Sequence, residues 1–207
     1  MNLEQLFNKY GCDKSKRHKY HTVYERHFES IRNNSINILE VGVFKGSSTA
    51  AFHEYFPNAN LYGIDIFTRV DIKSISIHKE ERVQFIHADS TKPNIGDILN
   101  DTFEDIKFDI IIDDACHTPE ANMLTFRHLK PFLISGGMYF IEDVWPLEIM
   151  SAKEKSISWV CNHSDELNDI KNQKFLRELN NSGLNIERFD LRKISGKPDS
   201  YIIKLQS

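Results

Sequence analysis

Two patterns of hydrophobic residues alternate along the middle of the chain, one typical of strands and the other of helices. Short apolar runs of strand length occupy 36–42, 60–67, 83–89, 108–114 and 137–143. Segments with helical spacing lie between or after them, at 47–56, 71–81, 96–103 and 120–133. Strands that alternate with helices form right-handed crossovers, so we predict a mostly parallel sheet covered by helices on both faces.

The pattern changes towards the carboxyl end. A helix-like stretch at 172–183 precedes two strand-like stretches, 185–193 and 199–206, which are separated by the turn-forming residues 194–198. We therefore predict a doubly wound α/β domain with seven strands, closed by an antiparallel hairpin. This domain spans 33–207, and an aromatic-rich segment, 1–32, precedes it and packs on the site.

Length and composition are those of one globular domain. The chain has 207 residues, of which 40% are hydrophobic and 27% charged. A net charge of −4 provides no basic surface, so a nucleic-acid partner is not expected. The chain has no apolar run of membrane-spanning length and no secretory signal at its start, which predicts a cytoplasmic protein without membrane contact. Its three cysteines have no CxxC spacing and are expected to be free thiols.

Acidic residues end all five predicted parallel strands. They are Glu40, Asp65, Asp89, Asp113 with Asp114, and Glu142 with Asp143. Doubly wound sheets bind ligands beyond the carboxyl ends of their strands, so this pattern predicts a ligand site there. The alternative is that each acid independently caps the helix that follows it.

The first strand leads into a loop with two glycines, Gly42 and Gly46, which would let a ligand approach a helix N-terminus. A dinucleotide fingerprint would have glycine where this chain has Phe44, so the loop suits a nucleoside without phosphates; a plain tight turn is the alternative. Asp65 has the spacing of an acid that accepts ribose hydroxyls. Asp89, followed by Ser90, is positioned to reach an adenine edge.

These motifs resemble class I S-adenosylmethionine-dependent methyltransferases, in order through LEVGVFKGSS, YGIDIF, IHADS, FDIIIDDACH and GGMYFIEDVW. The resemblance covers most of the chain and implies a Rossmann-like sheet with S-adenosylmethionine as cofactor. It assigns Glu40, Gly42 and Gly46 to the methionine part, Asp65 to the ribose and Asp89 to the adenine. The remaining expected cofactor contacts are Ser47, Ile66, Ser90 and Asp113.

The acids at the ends of the fourth and fifth predicted strands indicate a cation site beside the cofactor site. Successive strand side chains face opposite ways, so Asp113 and Asp114 are expected to do different work, one towards the cofactor and one towards the substrate. If these strands are neighbours, several carboxylates meet and repel one another unless a cation is present. Mg²⁺ prefers oxygen ligands and is the expected ion.

A resemblance to a narrower group of methyltransferases supports Mg²⁺ as the ion. DDACH and EDVW look like the macrocin and mycinamicin O-methyltransferase group, which acts on sugar hydroxyls of macrolides. The resemblance implies that Asp114, Glu142 and Asp143 hold Mg²⁺, and that His117 is the general base of a catalytic pair with Asp114. Alternatively, His117 is a histidine fixed by a carboxylate at a helix N-terminus, and Glu142 and Asp143 are first-turn helix acids.

The segment YGCDKSKRHKY, followed by VYERHF, resembles an N-terminal signature in relatives of that group. Its candidate site residues are Asp13, Lys14, His18, Tyr20 and Tyr24. We expect this signature to fold over the cofactor or substrate; a solvated charged segment is the alternative.

Residues from about 146 to 169, together with Trp145, follow the proposed site without a clear period. We expect a loop that covers the substrate. An ordinary connecting helix with Trp159 in the core is the alternative.

Three functional hypotheses follow. The first is an S-adenosylmethionine- and Mg²⁺-dependent O-methyltransferase whose acceptor is a hydroxyl of a sugar or glycosylated small molecule. The second keeps methyl transfer without the metal, on an amine or carboxylate. The third is a non-catalytic nucleotide-binding module in which the acids only cap helices. A homo-oligomer is compatible with each of them.

Overall fold

The computed structural model describes residues 1–144 and 169–207. Its seven strands are β1 (Asn37–Val41), β2 (Asn60–Asp65), β3 (Val83–His87), β4 (Phe108–Asp113), β5 (Leu133–Ile141), β6 (Asn185–Asp190) and β7 (Tyr201–Gln206). Its α-helices within the described ranges are α1 (Leu3–Lys9), α2 (Asp13–Lys16), α3 (His21–Phe28), α4 (Ser47–Tyr55), α5 (Ile95–Phe103), α6 (Pro119–Leu129), α7 (Asp169–Asn180) and α8 (Arg192–Ser195). No helix within these ranges is long and apolar enough to cross a bilayer.

All seven strands join one sheet in the order β3-β2-β1-β4-β5-β7-β6. The first five strands run parallel, and β7 pairs antiparallel with both β5 and β6. The predicted doubly wound, Rossmann-like sheet with a C-terminal antiparallel hairpin is therefore confirmed. The order reverses between β1 and β4, which is the switch point where such sheets bind ligands.

The central strands are apolar because helices cover both of their faces. In β4, Ile110 and Ile112 belong to one buried cluster and Ile111 to the other. Parallel strands buried on both faces show this continuous hydrophobic run rather than an alternation. The run ends at Asp113, which is still buried, and the partly exposed Asp114 follows it.

Residues 1–32 form one of the covering layers. Helices α1 and α3 contribute to the cluster on the Ile110 face. The apolar residues of this segment that are fully or almost fully buried are Leu3, Leu6, Phe7, Tyr20, Val23, Tyr24 and Phe28. Helices α5, α6 and α7 cover the other face, where residues such as Leu99, Phe126 and Phe175 are buried. The N-terminal segment is thus packed through its own apolar side chains.

The structure corrects two details of the sequence prediction. The helix expected at 71–81 is replaced by two short 3₁₀ turns, Ile72–Ser74 and Ser76–Lys79. The Asp71 side chain accepts a hydrogen bond from the Lys73 N–H and starts a turn, and the alternating isoleucines and serines beyond it disfavour a helix. The link between β6 and β7 is also longer than a tight hairpin, since it contains α8.

Candidate active site

Strand register brings the acids of the fourth and fifth strands together. Asp113 pairs with Val41 on one side and Ile141 on the other. The ladder continues beyond the strand ends, because Asp114 N–H donates to the Val41 carbonyl and Glu142 N–H donates to the Asp113 carbonyl, both at 2.9 Å. The side chains that follow β4 and β5 therefore start from adjacent backbone positions.

Asp113 and Asp114 face opposite layers, in agreement with strand geometry. Asp113 is 1% exposed and accepts a hydrogen bond from Asn122 Nδ2 of α6 at 3.0 Å. Burial raises the pKa of Asp113 to about 6. Asp114 lies on the other face, where Lys14 Nζ of α2 is 2.5 Å from its Oδ2 atom. The two neighbouring carboxylates thus have different partners and different environments.

Lys14 joins Asp114 to Glu142. Its Nζ atom is also 2.5 Å from Glu142 Oε2, and Lys14 and Glu142 are only 2% and 1% exposed. The second Glu142 oxygen accepts a hydrogen bond from the Tyr24 hydroxyl. Burial disfavours the ammonium charge, but the carboxylates of Asp114 and Glu142 outweigh it and hold the pKa of Lys14 well above its usual value. Lys14 is therefore a cation enclosed among the acids.

His117, which is partly exposed, faces the acids that follow β4 and β5. His117 Nε2 lies 3.8 Å from Asp114 Oδ1 and 3.8 Å from Asp143 Oδ2. One ligand atom from each of these residues lies within 4.8 Å of the others. Burial raises the pKa of Asp143, and the nearby Asp114 charge adds to that rise while His117 opposes it. His117 and Asp143 both have positive φ, 52° and 51°, a costly backbone conformation that often occurs at functional sites.

The N-terminal signature lies directly on these acids. The Tyr20 hydroxyl donates to Asp143 Oδ1 at 2.6 Å and accepts from the Asp143 N–H at 3.1 Å. The His18 ring stacks on Tyr20 with a centroid separation of 5.1 Å, and its Nδ1 atom is 3.0 Å from Ser200 Oγ. Asp13 remains 63% exposed, 3.7 Å from His18.

The glycine loop follows β1 at the same edge of the sheet. Gly42 has φ +94°, and a Cβ atom there would lie 2.2 Å from the Asp114 carbonyl oxygen. Gly46 has φ +72° and precedes Ser47, the first residue of α4; a Cβ atom on Gly46 would meet Ile75 at 2.6 Å. Both glycines are thus required by close approach within the chain itself.

Glu40 lies behind this loop, and its carboxylate is buried. It accepts hydrogen bonds from the hydroxyls of Ser48 and Thr49 at the start of α4. Burial raises the pKa of Glu40, while Lys14 and the two hydroxyls act in the opposite direction. The charge of Glu40 is therefore partly compensated by the chain.

The acids at the end of β2 and just after β3 both accept backbone N–H groups. Asp65 accepts the Phe44 N–H at 2.8 Å and the Phe67 N–H at 2.7 Å. Asp89 accepts from the N–H and hydroxyl of Thr91, at 3.0 and 2.6 Å, and these bonds lower the pKa of Asp89.

The neighbours of these two acids differ in exposure. Ile66 and Phe44 are each 48% exposed beside Asp65. Ser90 is buried, and its hydroxyl lies 2.9 Å from Thr125 Oγ1. An exposed apolar surface therefore flanks the Asp65 carboxylate, whereas the Ser90 side chain is turned into the protein.

Sequence reasoning missed two partners at this edge. The sequence marks Lys14 as part of a signature, but nothing in its spacing distinguishes it from Lys16 or Lys19 as the lysine that reaches the acids. Asn122 was not identified, because a polar residue on a helix face is most often solvated. The expected lid, 146–169 with Trp145 and Trp159, lies outside the described residues except for Asp169, the first residue of α7.

Comparison with known proteins shows which family and which curated proteins this chain is similar to. Residues 39–144 match a family model described as a methyltransferase domain. The chain is 33% identical over 155 residues to the 8-demethyl-8-alpha-L-rhamnosyl tetracenomycin-C 2'-O-methyltransferase of Streptomyces olivaceus, an alignment covering 70% of this chain and 39% of that protein. It is 30% identical over 129 residues to the mycinamicin VI 2''-O-methyltransferase of Micromonospora griseorubida, covering 59% of this chain and 30% of that protein. The chain thus spans well under half the length of these curated relatives.

Solved structures agree on the fold. The MycE methyltransferase from the mycinamycin biosynthetic pathway, in complex with Mg and SAH, aligns with all of this chain and 55% of its own, with a TM-score of 0.67 and 24% identity. The N-methyltransferase NodS from Bradyrhizobium japonicum aligns with 91% of this chain and 94% of its own, with a TM-score of 0.56 and 17% identity. Since the family model covers just over half of the sequence, and the sheet and its acidic edge agree with it, this chain belongs to the methyltransferase domain family.

Proposed function

We propose that this chain is an S-adenosylmethionine-dependent, Mg²⁺-dependent O-methyltransferase that acts on a hydroxyl of a sugar or glycosylated small molecule. The observation that carries the proposal is the position of His117 Nε2, 3.8 Å from both Asp114 and Asp143 at the carboxyl edge of the sheet. A base beside two carboxylates suits proton removal from a weakly acidic hydroxyl. The names of the relatives, which are O-methyltransferases of rhamnosyl and mycinamicin compounds, support this class of acceptor.

The residues present fit a divalent cation. The converging ligand atoms include carboxylate oxygens of Asp114 and Asp143, the kind that Mg²⁺ prefers. Asp114, Glu142 and Asp143 remain the predicted ligands, and His117 is kept as base because Mg²⁺ selects oxygen over nitrogen. When bound, the ion would acidify and orient the acceptor hydroxyl.

His117 performs the proton transfer in this proposal. Its Nε2 atom takes the hydroxyl proton as the acceptor oxygen gains the methyl group. The resulting imidazolium is stabilised by Asp114 and Asp143, whose oxygens are 3.8 Å away. S-adenosylmethionine, when bound, would supply the electrophilic methyl group and leave as S-adenosylhomocysteine, and the chain would hold the two reactants in line.

The cofactor contacts are proposals of the same kind. Glu40, Gly42, Gly46 and Ser47 would border the methionine part, at the start of α4. Asp65 and Ile66 would hold the ribose, since each Asp65 oxygen has a lone pair beyond its backbone hydrogen bond. Asp89 and Ser90 would lie near the adenine, and Asp113 would face the cofactor. Support comes from the exposed apolar side chains of Phe44 and Ile66, which suit the body of a nucleoside.

The first test is a calorimetric titration of S-adenosylhomocysteine into the protein with Mg²⁺, followed by methyl-transfer assays on a panel of sugar hydroxyls. We expect micromolar binding, equivalent to about −8 kcal/mol. No detectable heat would contradict the methyltransferase proposal and favour a nucleotide module of another kind. Turnover that persists undiminished in a chelator would instead favour the metal-independent reaction on an amine or carboxylate.

Mutations test the site itself. Asp114→Ala and His117→Ala should abolish turnover while S-adenosylhomocysteine still binds, because both act on the acceptor side. His53→Ala is the matched control, since His53 lies in the last turn of α4, outside the acidic cluster. Normal turnover in either site variant would contradict the catalytic assignment.

A further inference from the structure

Asp143 lies two residues after β5 in a backbone conformation that needs support. Its φ is +51°, and a residue other than glycine keeps such a conformation only where surrounding contacts hold it. One side chain supplies two of these contacts, because the Tyr20 hydroxyl accepts from the Asp143 N–H at 3.1 Å and donates to Asp143 Oδ1 at 2.6 Å. Tyr20 therefore binds the backbone and the side chain of the same residue.

The two carboxylate oxygens of Asp143 have separate surroundings. Oδ1 contacts the N-terminal signature, where it accepts from the Tyr20 hydroxyl and lies 3.4 Å from His18 Nδ1. Oδ2 lies 3.8 Å from His117 Nε2, where ligand atoms of Asp114, His117 and Asp143 converge. A hydrogen bond to Oδ1 therefore also sets the direction in which Oδ2 points.

We propose that Tyr20 is a positioning residue for the divalent ion, whose hydroxyl fixes Asp143 so that Oδ2 stays on the His117 side, available to bind the ion. The inference rests on the metal dependence proposed above and deepens it. It leaves Asp114, Glu142 and Asp143 as the predicted ligands. Loss of a group that hydrogen-bonds to a metal ligand typically costs about 10–100-fold in metal affinity, which sets the size of the expected effect.

Tyr20 suits this role because its own ring is held in place. The ring is fully buried, and the His18 ring stacks on it with centroids 5.1 Å apart. His18 Nδ1 lies 3.0 Å from Ser200 Oγ, and the Asp199 carbonyl oxygen lies 3.1 Å from the Tyr20 hydroxyl. The N-terminal signature and the residues just before β7 thus meet at the side chain that holds Asp143, and a partner fixed by packing orients a ligand better than a mobile one.

The experiment is a calorimetric titration of Mg²⁺ alone into the full chain and two variants. Tyr20→Phe removes only the hydroxyl and should weaken Mg²⁺ binding by about 10-fold or more. Tyr55→Phe is the matched control, since Tyr55 is equally buried and its hydroxyl donates to Glu29 Oε2 at 2.9 Å, within the same N-terminal segment. This control should change Mg²⁺ affinity by less than about 2-fold, because Glu29 is not one of the strand-end acids.

A second ligand separates positioning from a merely structural role. S-adenosylhomocysteine should bind Tyr20→Phe within about 2-fold of the wild-type affinity, because the hydroxyl contacts Asp143 and Asp199, and neither is a predicted cofactor contact. In turnover assays the variant should need about 10-fold more Mg²⁺ for half-maximal rate and recover most of the wild-type kcat at saturating Mg²⁺.

Three results overturn the inference. The first is an unchanged Mg²⁺ affinity in Tyr20→Phe. The second is an equal loss of Mg²⁺ affinity in Tyr55→Phe. The third is a loss of S-adenosylhomocysteine affinity in Tyr20→Phe as large as the loss of Mg²⁺ affinity, which would indicate general damage to the fold.

The wild-type protein provides a test that needs no variant. In a crystal structure grown with Mg²⁺, Tyr20 should stay hydrogen-bonded to Asp143 Oδ1, and Asp143 Oδ2 should be the oxygen that binds the ion. An ion on Oδ1, or a Tyr20 hydroxyl turned away from Asp143, overturns the inference even if Tyr20→Phe does not fold.

Failure of this inference is distinguishable from failure of the proposed function. Absence of Mg²⁺ binding to the wild type overturns the inference together with metal dependence, whereas S-adenosylhomocysteine binding to the same protein would leave methyl transfer in place. The converse result, Mg²⁺ affinities as expected in the wild type and both variants without S-adenosylhomocysteine binding, would remove the methyltransferase proposal and keep the role of Tyr20.

Discussion

Gly42→Ala tests whether the glycine loop and the acidic edge are one packed unit. Gly42 has φ +94°, and an added Cβ would lie 2.2 Å from the Asp114 carbonyl oxygen, 2.7 Å from its carbon and 3.0 Å from Ala115 Cα. All three atoms belong to backbone, so no flexible side chain can move aside. The strand end that carries Asp114 must retreat by about 1 Å to restore an ordinary van der Waals contact.

Two costs add in this variant. A side chain at such a φ costs about 1–2 kcal/mol, and forcing packed backbone apart costs a further 1–3 kcal/mol or so. The free energy of unfolding should therefore fall by about 2–5 kcal/mol, and a chain of this size would lose roughly 5–15 °C in Tm. Displacement of Asp114 should also weaken its contact with Lys14.

The assay is urea unfolding followed by circular dichroism, with Gly183→Ala as the matched control. Gly183 also has a positive φ, +77°, but a Cβ atom there meets nothing within 4 Å. Gly183→Ala should therefore lose only the conformational part, about 1 kcal/mol. Equal losses in the two variants would refute the reasoning, because the close approach to Asp114 would then carry no cost.

Two further predictions concern buried polar groups. Tyr24→Phe should lower the free energy of unfolding by about 1–3 kcal/mol, because a buried Glu142 oxygen loses its hydrogen-bond donor. Tyr139→Phe should change the free energy of unfolding by less than about 0.5 kcal/mol. The reason is that the buried Tyr139 hydroxyl has no hydrogen-bond partner in the described part of the chain. A larger loss in Tyr139→Phe than in Tyr24→Phe in the same denaturation assay would contradict this. The second prediction uses a Cys161→Ser background, in which iodoacetamide at pH 8 should label the exposed Cys116 and spare Cys12 until urea unfolds the protein. Cys12 is spared because burial raises the pKa of its thiol to about 12. Labelling is read by mass spectrometry, and labelling of Cys12 at the rate of Cys116 would contradict its burial.

The repeating pattern of strands and helices could be predicted from the sequence because burial on both sheet faces leaves a direct trace. The run in β4 is apolar from Ile110 to Ile112, where both faces are buried, and is flanked by Asp109 and Asp113. The stretch at 71–81 was predicted wrongly as a helix. Its isoleucines reflect packing of a loop against Gly46, and periodicity alone does not separate such packing from a helix face.

The acids of the candidate site were also readable from the sequence, since strand ends in parallel sheets meet at one edge. The opposite facing of Asp113 and Asp114 followed from strand geometry alone. The partners of each acid did not follow, because Lys14 is 100 residues from Asp114 and 128 from Glu142 along the chain. No local pattern records a contact across such a separation.

What the sequence by itself determined is the order of elements, the position of the acids at strand ends and the glycine loop, because each depends on residues near one another in the chain. Only the tertiary structure decided that 1–32 packs as a layer of the core and that Lys14, Tyr20 and Tyr24 divide the carboxylate oxygens among themselves. Those arrangements arise from the docking of α1–α3 on the sheet. The physical reason is that side-chain pairing in a buried cluster is selected by the packing of the whole domain, which fixes distances that local sequence does not encode.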